Sequence, residues 1–286
     1  MALMSPGSPE AFTLSWHKKS ADSFARILRH IAERARSLSD DKRFSAEQVI
    51  HEMRLLIKRV RALLWFARPS VARTIEAEAR TQLRKASQLL SGQRDVKAAQ
   101  TTFEKMLEEI DSTADRAALE KTSQALRKDN GAPEEDKRDN IGKAVSMLCG
   151  ELDDFAQAVE RSGKWPSVTK RTEKAFRVMR KSGKKARRTQ ADADFHAWRK
   201  KAKRLLYLLE MRNGDATQRE KELLERVYKL QATLGDDHDC VVTAQQLPTP
   251  KKSGSVRRAV TKLLNERQRR LRKKSVKIAR RIDAVA

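Results

Sequence analysis

The amino-acid sequence predicts an all-α protein, made of two pseudo-symmetric antiparallel helical bundles that arise from an internal duplication. Stretches with apolar residues at every third or fourth position recur along the 286-residue chain, as in amphipathic helices. The alternation of β-branched and polar residues that is typical of strands is absent. One helical segment also occurs twice, which predicts two related halves.

The first copy of this segment spans residues 49–64. At the helical step of about 100° per residue, its polar and apolar side chains fall on opposite faces. The polar face carries His51, Arg54, Lys58 and Arg61, and the apolar face carries Met53, Leu56, Val60, Leu63 and Leu64. We therefore expect a helix that buries one stripe and presents a histidine at the head of a row of cations.

The second copy spans residues 195–210 and has the same design, with His196 placed 145 residues after His51. Its polar face carries His196, Arg199, Lys200, Lys203 and Tyr207, and its apolar face carries Trp198, Ala202, Leu205, Leu208 and Leu209. The repeat also pairs Arg59 with Arg204.

A second motif repeats at nearly the same offset. The segment Leu90–Val96 resembles Leu234–Cys240, and Asp239 lies 144 residues after Asp95. Two motifs that share one offset predict a first helical half at 16–162 and a second at 163–286. Residues 1–15 contain Pro6, Gly7 and Pro9 without periodicity, and are expected to be a disordered lead-in.

Local signals place the individual helices. Residues 16–38 carry an apolar stripe, Ser45 is expected to cap the helix of His51, and Arg68-Pro69-Ser70 to close it. The further helices are predicted at 71–90, 94–128 with a break near 111–115, 134–161, 169–188, the segment of His196, 216–234, a short helix after Asp236, and a last basic helix to about 282.

The charge of the chain points to a polyanionic partner. The sequence has 63 Lys and Arg against 38 Asp and Glu, a formal net charge of +25. Such a surplus attracts nucleic acid, an acidic membrane or polyphosphate. The hydrophobic content of 39% together with 35% charged residues favours folded amphipathic helices over a disordered basic tail.

Compartment signals favour the cytoplasm. The two cysteines, Cys149 and Cys240, do not make a disulfide framework, which is typical of reduced surroundings. The longest apolar run, 62–67, is far shorter than the roughly 20 residues of a membrane span. We also expect no secretory leader, since no cationic segment precedes an apolar one at the start.

The two histidine segments and the Leu-Gly-x-x-x-Asp form of Leu234–Asp239 resemble the CHAD family, a histidine-containing α-helical domain of bacteria and archaea. The resemblance extends over residues 16–286. It implies two pseudo-symmetric helical bundles, basic residues lining a central groove, and binding of inorganic polyphosphate, including association with polyphosphate granules. Ser91 departs from the pattern, because it stands where the second copy has Gly235.

The candidate polyphosphate-binding residues combine this resemblance with the two cationic rows and the basic helix at 169–188. They are His51, Arg54, Lys58, Arg61, His196, Arg199, Lys200, Lys203, Tyr207, Arg177, Arg180 and Lys184. Arginine can fork onto phosphate oxygens, lysine adds point charge, and histidine donates one N–H or gains charge as the pH falls. The basic run 267–274 is expected either to join the groove or to face solvent.

No catalytic residue, cofactor or metal is predicted. Asp236, Asp237, His238 and Asp239 cluster, but the first copy has only Asp95 at the matching positions. We therefore expect Asp95 and Asp239 to begin a helix or to steady an arginine, and Cys240 to be a small buried side chain.

Three functions compete. Non-catalytic binding of polyphosphate is the first, because dense Lys, Arg and His suffice for a ligand with charge at every repeat. A basic nucleic-acid-binding protein is the alternative, although aromatic residues make up only 5% of the chain. An enzyme of phosphoanhydride chemistry is the third, and it would need carboxylates that hold a divalent metal. The oligomeric state stays open.

Overall fold

The computed structural model describes residues 20–91, 94–127, 133–162, 165–212, 216–247 and 254–284. Within these ranges the chain forms ten α-helices and one short 3₁₀ turn, and contains no strand. The predicted all-α class is therefore confirmed, while the duplication stays a prediction. The expected lead-in at 1–15 lies outside the described residues.

The helices are α1 (Ser20–Asp40), α2 (Ala46–Ala67), α3 (Arg73–Leu89), α4 (Arg94–Glu109), α5 (Thr113–Arg127), α6 (Glu134–Arg161), α7 (Val168–Thr189), α8 (Asp192–Arg212), α9 (Gln218–Gln246) and α10 (Gly254–Asp283). The 3₁₀ turn Arg68–Ser70 closes α2, with Pro69 in its first positions. Proline there stops the helix because it has no N–H to donate. The predicted break near 111–115 separates α4 from α5.

The chain divides into two compact units that are discontinuous in sequence. Unit 1 comprises Met1–Ser91, Pro133–Arg177 and Arg204–Leu224, and unit 2 comprises Gly92–Ala132, Val178–Lys203 and Glu225–Ala286. Helices α7, α8 and α9 therefore each contribute residues to both units. Each unit is described separately below.

In unit 1, α1 and α3 pack along α6, and α2 contacts all three. Four aromatic rings meet in its interior. The Phe24 ring lies 6.1 Å from that of Phe66, 6.5 Å from that of Phe155 and 5.3 Å from that of Trp165, between centroids. Because large rings bury much apolar area and favour such tilted contacts, this cluster fixes α2 against α1 and α6.

In unit 2, α5 packs against α4 and α10. The apolar cluster here includes Phe103 and Met106 of α4, Leu119 of α5, Cys240 of α9 and Leu264 of α10. Burial raises the pKa of the Cys240 thiol to about 12, so it is a neutral core side chain, as predicted.

The apolar stripes predicted for the helices of His51 and His196 are confirmed. Met53, Leu56, Val60, Leu63 and Leu64 are all buried, and so are Trp198, Ala202, Leu205, Leu208 and Leu209. The helical period therefore identifies which face of α2 and of α8 packs inward.

The predicted end of a helix at Leu234 is wrong. Helix α9 runs without a break through Gly235 to Gln246, so Asp239 lies inside a helix and does not begin one. Glycine weakens a helix by only about 1 kcal/mol, which packing overrides. Gly235 is buried beside Arg199, and a Cβ there would lie 3.7 Å from Nη2 of Arg199, an ordinary van der Waals distance, so close packing does not require glycine at this position.

One glycine is required by close packing. A Cβ at Gly183 of α7 would lie 2.7 Å from Cε2 of Trp198, whose indole is fully buried on α8 and donates to Sδ of Met179. The ring cannot swing away without leaving the core. We expect Gly183→Ala to lower the free energy of unfolding by about 1–3 kcal/mol, despite the better helix propensity of alanine.

Gly142→Ala on α6 is the matched control. No atom lies within 4 Å of a Cβ at Gly142, so the same change there should stabilise the protein by ~0.5–1 kcal/mol. Denaturant unfolding of both variants measures the two effects. If Gly183→Ala proves as stable as Gly142→Ala, the tight contact with Trp198 does not exist.

Candidate functional site

Helix α2 carries the first cationic row, and its start is fixed by a capping box. The Ser45 Oγ accepts the backbone N–H of Gln48 at 3.4 Å, and the Gln48 Oε1 accepts that of Ser45 at 2.8 Å. Only the role of Ser45 was expected from sequence. With the helix start set in this way, His51, Arg54, Lys58 and Arg61 follow along one side of α2.

Two of these arginines tie α2 to α3 within unit 1. Arg54 Nη1 donates to the carbonyl of Leu90 at 3.1 Å, and Arg61 Nη2 donates to the carbonyl of Leu83 at 3.1 Å. A guanidinium has five N–H groups, so the bond of Arg61 to a carbonyl holds its side chain in place and leaves donors for a ligand. His51 is exposed, and Lys58 is half-buried.

Arg61 belongs to a larger group, which we name the arginine cluster. Its members are Arg61, Arg68, Arg80, Arg84, Arg171 and Arg204, all in unit 1. They come from α2, the 3₁₀ turn, α3, α7 and α8. The sequence did not single out this set, because its members are distant in the chain and meet only through packing.

The pKa values of Arg61 and Arg204 show the crowding of positive charge. Burial lowers the pKa of Arg61, and the charges of Arg84 and Arg80 lower it further. Burial, then the charges of Arg171 and Arg80, lower the pKa of Arg204. Guanidinium groups stay charged at physiological pH even so, and the cluster is therefore a site of mutual repulsion.

The indole ring of Trp65 contacts two members of the arginine cluster, Arg171 of α7 and Arg204 of α8. The guanidinium carbon of Arg171 lies 3.8 Å from the centroid of the Trp65 indole, and that of Arg204 lies 4.7 Å from it. Arg171 also donates to the carbonyl of Trp65. Such cation–π contacts stabilise by ~0.5–2 kcal/mol each and orient the flat guanidinium groups.

Few carboxylates neutralise the arginine cluster. Buried Glu76 lies 3.8 Å from Nε of Arg68 and 3.4 Å from Nη1 of Arg80. Among the residues that the structure describes, the other four members form no salt bridge. The cluster thus keeps a surplus of positive charge that an anion can compensate.

The second cationic row lies on the part of α8 that belongs to unit 2. Here the His196 ring lies 4.2 Å from that of His238, between centroids, at an interplanar angle of 39°. Arg199 lies beside Gly235 and contributes to the positive potential at Asp237. Lys200 is exposed, and Lys203 is half-buried.

The arginine that anchors this region comes from α10. Arg272 Nε donates to Oδ1 of buried Asp237 at 2.9 Å, and its guanidinium lies 4.3 Å from the centroid of Phe195. Arg272 also pairs with Asp192. Burial raises the pKa of Asp237, and the charges of Arg272 and Arg199 oppose that rise. The motif residue that pairs with Arg272 is therefore Asp237, which the sequence did not single out for this role. That Asp239 steadies an arginine stays a prediction, and the side chain of Asp95 lies outside the described residues.

The remaining candidates occupy different surroundings. Tyr207 lies in unit 1, where its ring centroid is 6.0 Å from the guanidinium carbon of Arg59. Arg177 is exposed in unit 1. Arg180 and Lys184 are exposed in unit 2, and Arg180 pairs with Asp283 at 2.8 Å. The four basic candidates of α2 thus lie in unit 1, whereas the candidates of α8 are divided between the units, with Tyr207 in unit 1 and the other four in unit 2.

The described residues offer neither a metal-binding cluster nor a membrane-spanning helix. Within the described ranges, no group of three or more His, Cys, Asp or Glu is arranged to hold a metal ion. Likewise, no described helix combines the length and the apolarity that crossing a membrane requires.

Comparison with known proteins gives the family. The model of the CHAD domain family matches residues 22–248, which is most of the chain. No curated protein matches the sequence. Both histidine segments, the arginine cluster and the Leu234–Cys240 segment lie inside the matched residues, and the chain belongs to the CHAD domain family.

Proposed function

We propose that this protein binds inorganic polyphosphate without catalysing a reaction on it. The observation that carries the proposal is the arginine cluster, where Arg61, Arg84, Arg171 and Arg204 form no salt bridge among the described residues. Bringing these charges together costs free energy, and a polyanion offsets that cost. Membership of the CHAD family, whose domains are associated with polyphosphate, supports the same ligand.

The chemistry of the cluster favours a ligand without bases. Single-stranded nucleic acids bind by stacking bases on exposed aromatic rings. In the arginine cluster the aromatic ring is Trp65, and its surroundings include the guanidinium groups of Arg171 and Arg204. These arginines take up the aromatic contact, and their N–H groups suit phosphate oxygens. Duplex DNA is the competing ligand in the tests below.

The proposal of a binding protein, as opposed to an enzyme, rests on the carboxylates of the cluster. Phosphoanhydride cleavage needs acidic groups that hold a divalent metal next to the phosphates. Glu76 is buried and paired with Arg68 and Arg80, so it is not available to hold a metal.

We propose that the protein acts in the cytoplasm, on polyphosphate granules. Release of phosphate from polyphosphate by the purified protein with Mg²⁺ would overturn the non-catalytic part.

The two cationic rows can be tested without removing the arginines that bond to carbonyls. The test variant combines Lys58→Gln, Lys200→Gln and Lys203→Gln, and the control combines Lys42→Gln, Lys121→Gln and Lys143→Gln, with the same change in net charge. We expect the test variant to bind polyphosphate at least ~10-fold more weakly. Its affinity should also depend less steeply on salt, because binding through fewer contacts releases fewer counterions. Titration calorimetry at several salt concentrations measures both quantities.

The outcomes separate the candidate functions. Equal affinity of the test and control variants for polyphosphate would show that the lysines of the two rows do not contribute to binding. Preference of the wild-type protein for duplex DNA over polyphosphate at matched charge would favour the nucleic-acid alternative. Lack of polyphosphate binding by the wild-type protein at physiological ionic strength would overturn the proposal itself.

The repulsion within the arginine cluster gives an independent prediction. Arg84→Gln removes one of the charges that lower the pKa of Arg61. We expect this change to stabilise the free protein by ~0.5 kcal/mol at low salt, and to reduce the rise in melting temperature that tripolyphosphate produces. Lys85→Gln, at the neighbouring exposed position, should do neither. Thermal unfolding with and without tripolyphosphate checks this, and a destabilised Arg84→Gln with an unchanged response to the ligand would contradict it.

A further inference from the structure

Helix α10 presents a row of cations that the predicted site does not include. At about 100° per residue, five of them lie within roughly 60° of one another around the helix, over a length of about 33 Å. They are Arg258, Lys262, Arg269, Lys273 and Arg280, and all five are exposed. We name this set the α10 row. It lies beyond the residues that the family model matches, which end at 248.

The opposite face of α10 fixes the direction of this row. Val260, Leu264 and Ile282 are buried on that face, and so are the side chains of Ser275 and Arg267. Arg267 forms an ion pair with Glu109 of α4. Because the helix is anchored along its length on one side, the row on the other side is held toward solvent.

Little negative charge offsets the α10 row. The helix contains twelve Lys and Arg against two acidic residues, Glu266 and Asp283, and Asp283 pairs with Arg180. Among the described residues, the five members of the row form no salt bridge; Arg258 donates to the carbonyl of Gly254 in its own helix. An open depression on this face is lined by Arg258, Lys262 and Arg269 together with one carboxylate, that of Glu266, so the cations outnumber the acidic groups there.

From this arrangement we propose that the α10 row is a second polyphosphate-binding surface, which lies in unit 2 and binds segments of a long chain that the first site does not hold. This inference rests on the proposed function. The row presents a charge every four or seven residues along one face of α10, and polyphosphate carries charge at every unit. Affinity therefore depends on chain length, because a short chain occupies only the first site and a long chain engages both.

The composition of α10 distinguishes this ligand from others. The helix contains no Phe, Trp or Tyr, so it offers no ring on which bases of a single strand can stack. A basic amphipathic helix binds membranes by inserting its apolar face, but the apolar face of α10 is buried in unit 2. The exposed face of α10 offers positive charge but neither a ring for base stacking nor an apolar surface for membrane insertion. These properties suit a flexible inorganic polyanion.

The test compares chain lengths in two matched variants. The row variant replaces Arg258, Lys262, Arg269, Lys273 and Arg280 by Gln, and the control replaces Lys42, Lys121, Lys143, Arg161 and Lys229 by Gln. All ten of these positions are exposed, and each set of changes is made in the whole 286-residue chain. Circular dichroism verifies that both variants keep the helical fold. Binding of tripolyphosphate, long-chain polyphosphate and duplex DNA is measured at several salt concentrations.

We expect the row variant to bind long-chain polyphosphate at least ~10-fold more weakly than the control, with a salt slope reduced by up to ~3.5 for five lost contacts. Tripolyphosphate affinity should be the same in both variants. Equal affinity of both variants for the long chain would overturn the inference and leave the proposed function standing. Equal loss for both ligands would also overturn it, as would loss of duplex DNA binding alone. Lack of binding by the wild-type protein would instead overturn the proposed function.

Discussion

The mutual repulsion of arginines in unit 1 is the constraint on which this structure depends. The pKa values of Arg61, Arg171 and Arg204 are all lowered, first by burial and then by other guanidinium groups. Guanidinium groups that repel one another in this way move apart unless packing elsewhere holds the helices that carry them. The aromatic cluster around Phe24 supplies such a force, since Phe66, the neighbour of Trp65 in α2, packs into it. Adjacent residues of one helix thus serve two purposes: Phe66 fixes α2 in the core, and Trp65 orients the arginines outside it.

Unit 2 treats arginine in a different way. There Arg272 meets Asp237 and Asp192 and lies over Phe195, and Arg267 pairs with Glu109. A carboxylate neutralises each of these charges, and both arginines link helices that are distant in the sequence. Removing one partner of such a buried pair leaves an uncompensated charge, which is strongly destabilising. These arginines therefore serve the architecture with their charge neutralised, whereas Arg61 and Arg171 of unit 1 bond to carbonyls, which carry no net charge, and keep a positive charge that a ligand can compensate.

The sequence predicts the helices well because a helix is a local structure, and its period is visible in the apolar residues. The stripes of α2 and α8 are buried as expected, and α6 has the predicted bounds. The errors have local causes as well. Gly235 resembles a helix end in the sequence, but α9 continues through it, because glycine weakens a helix by only about 1 kcal/mol and packing overrides that cost. The arginine cluster could not be predicted, because α2, α3, α7 and α8 bring its members together and no spacing in the chain records that meeting. An incomplete signal did exist: Arg80 and Arg84 are four residues apart on α3, on one face of a helix.

Helix α10 contains both arginines that pair with carboxylates of other helices and cations that face solvent without such a partner. These two roles account for its strongly basic composition. A helix with twelve basic and two acidic residues would not form stably by itself, because like charges three and four residues apart repel one another. Packing of Val260, Leu264 and Ile282 and the ion pairs of Arg267 and Arg272 hold it in unit 2. Inward-facing arginines thus stabilise the helix, and this stability permits the outward-facing ones to remain concentrated. Charge density on the outer face is then a property that the fold maintains at a cost in free energy. A binding partner of opposite charge accounts for that cost more simply than solubility does, since mixed charges would give solubility without the repulsion.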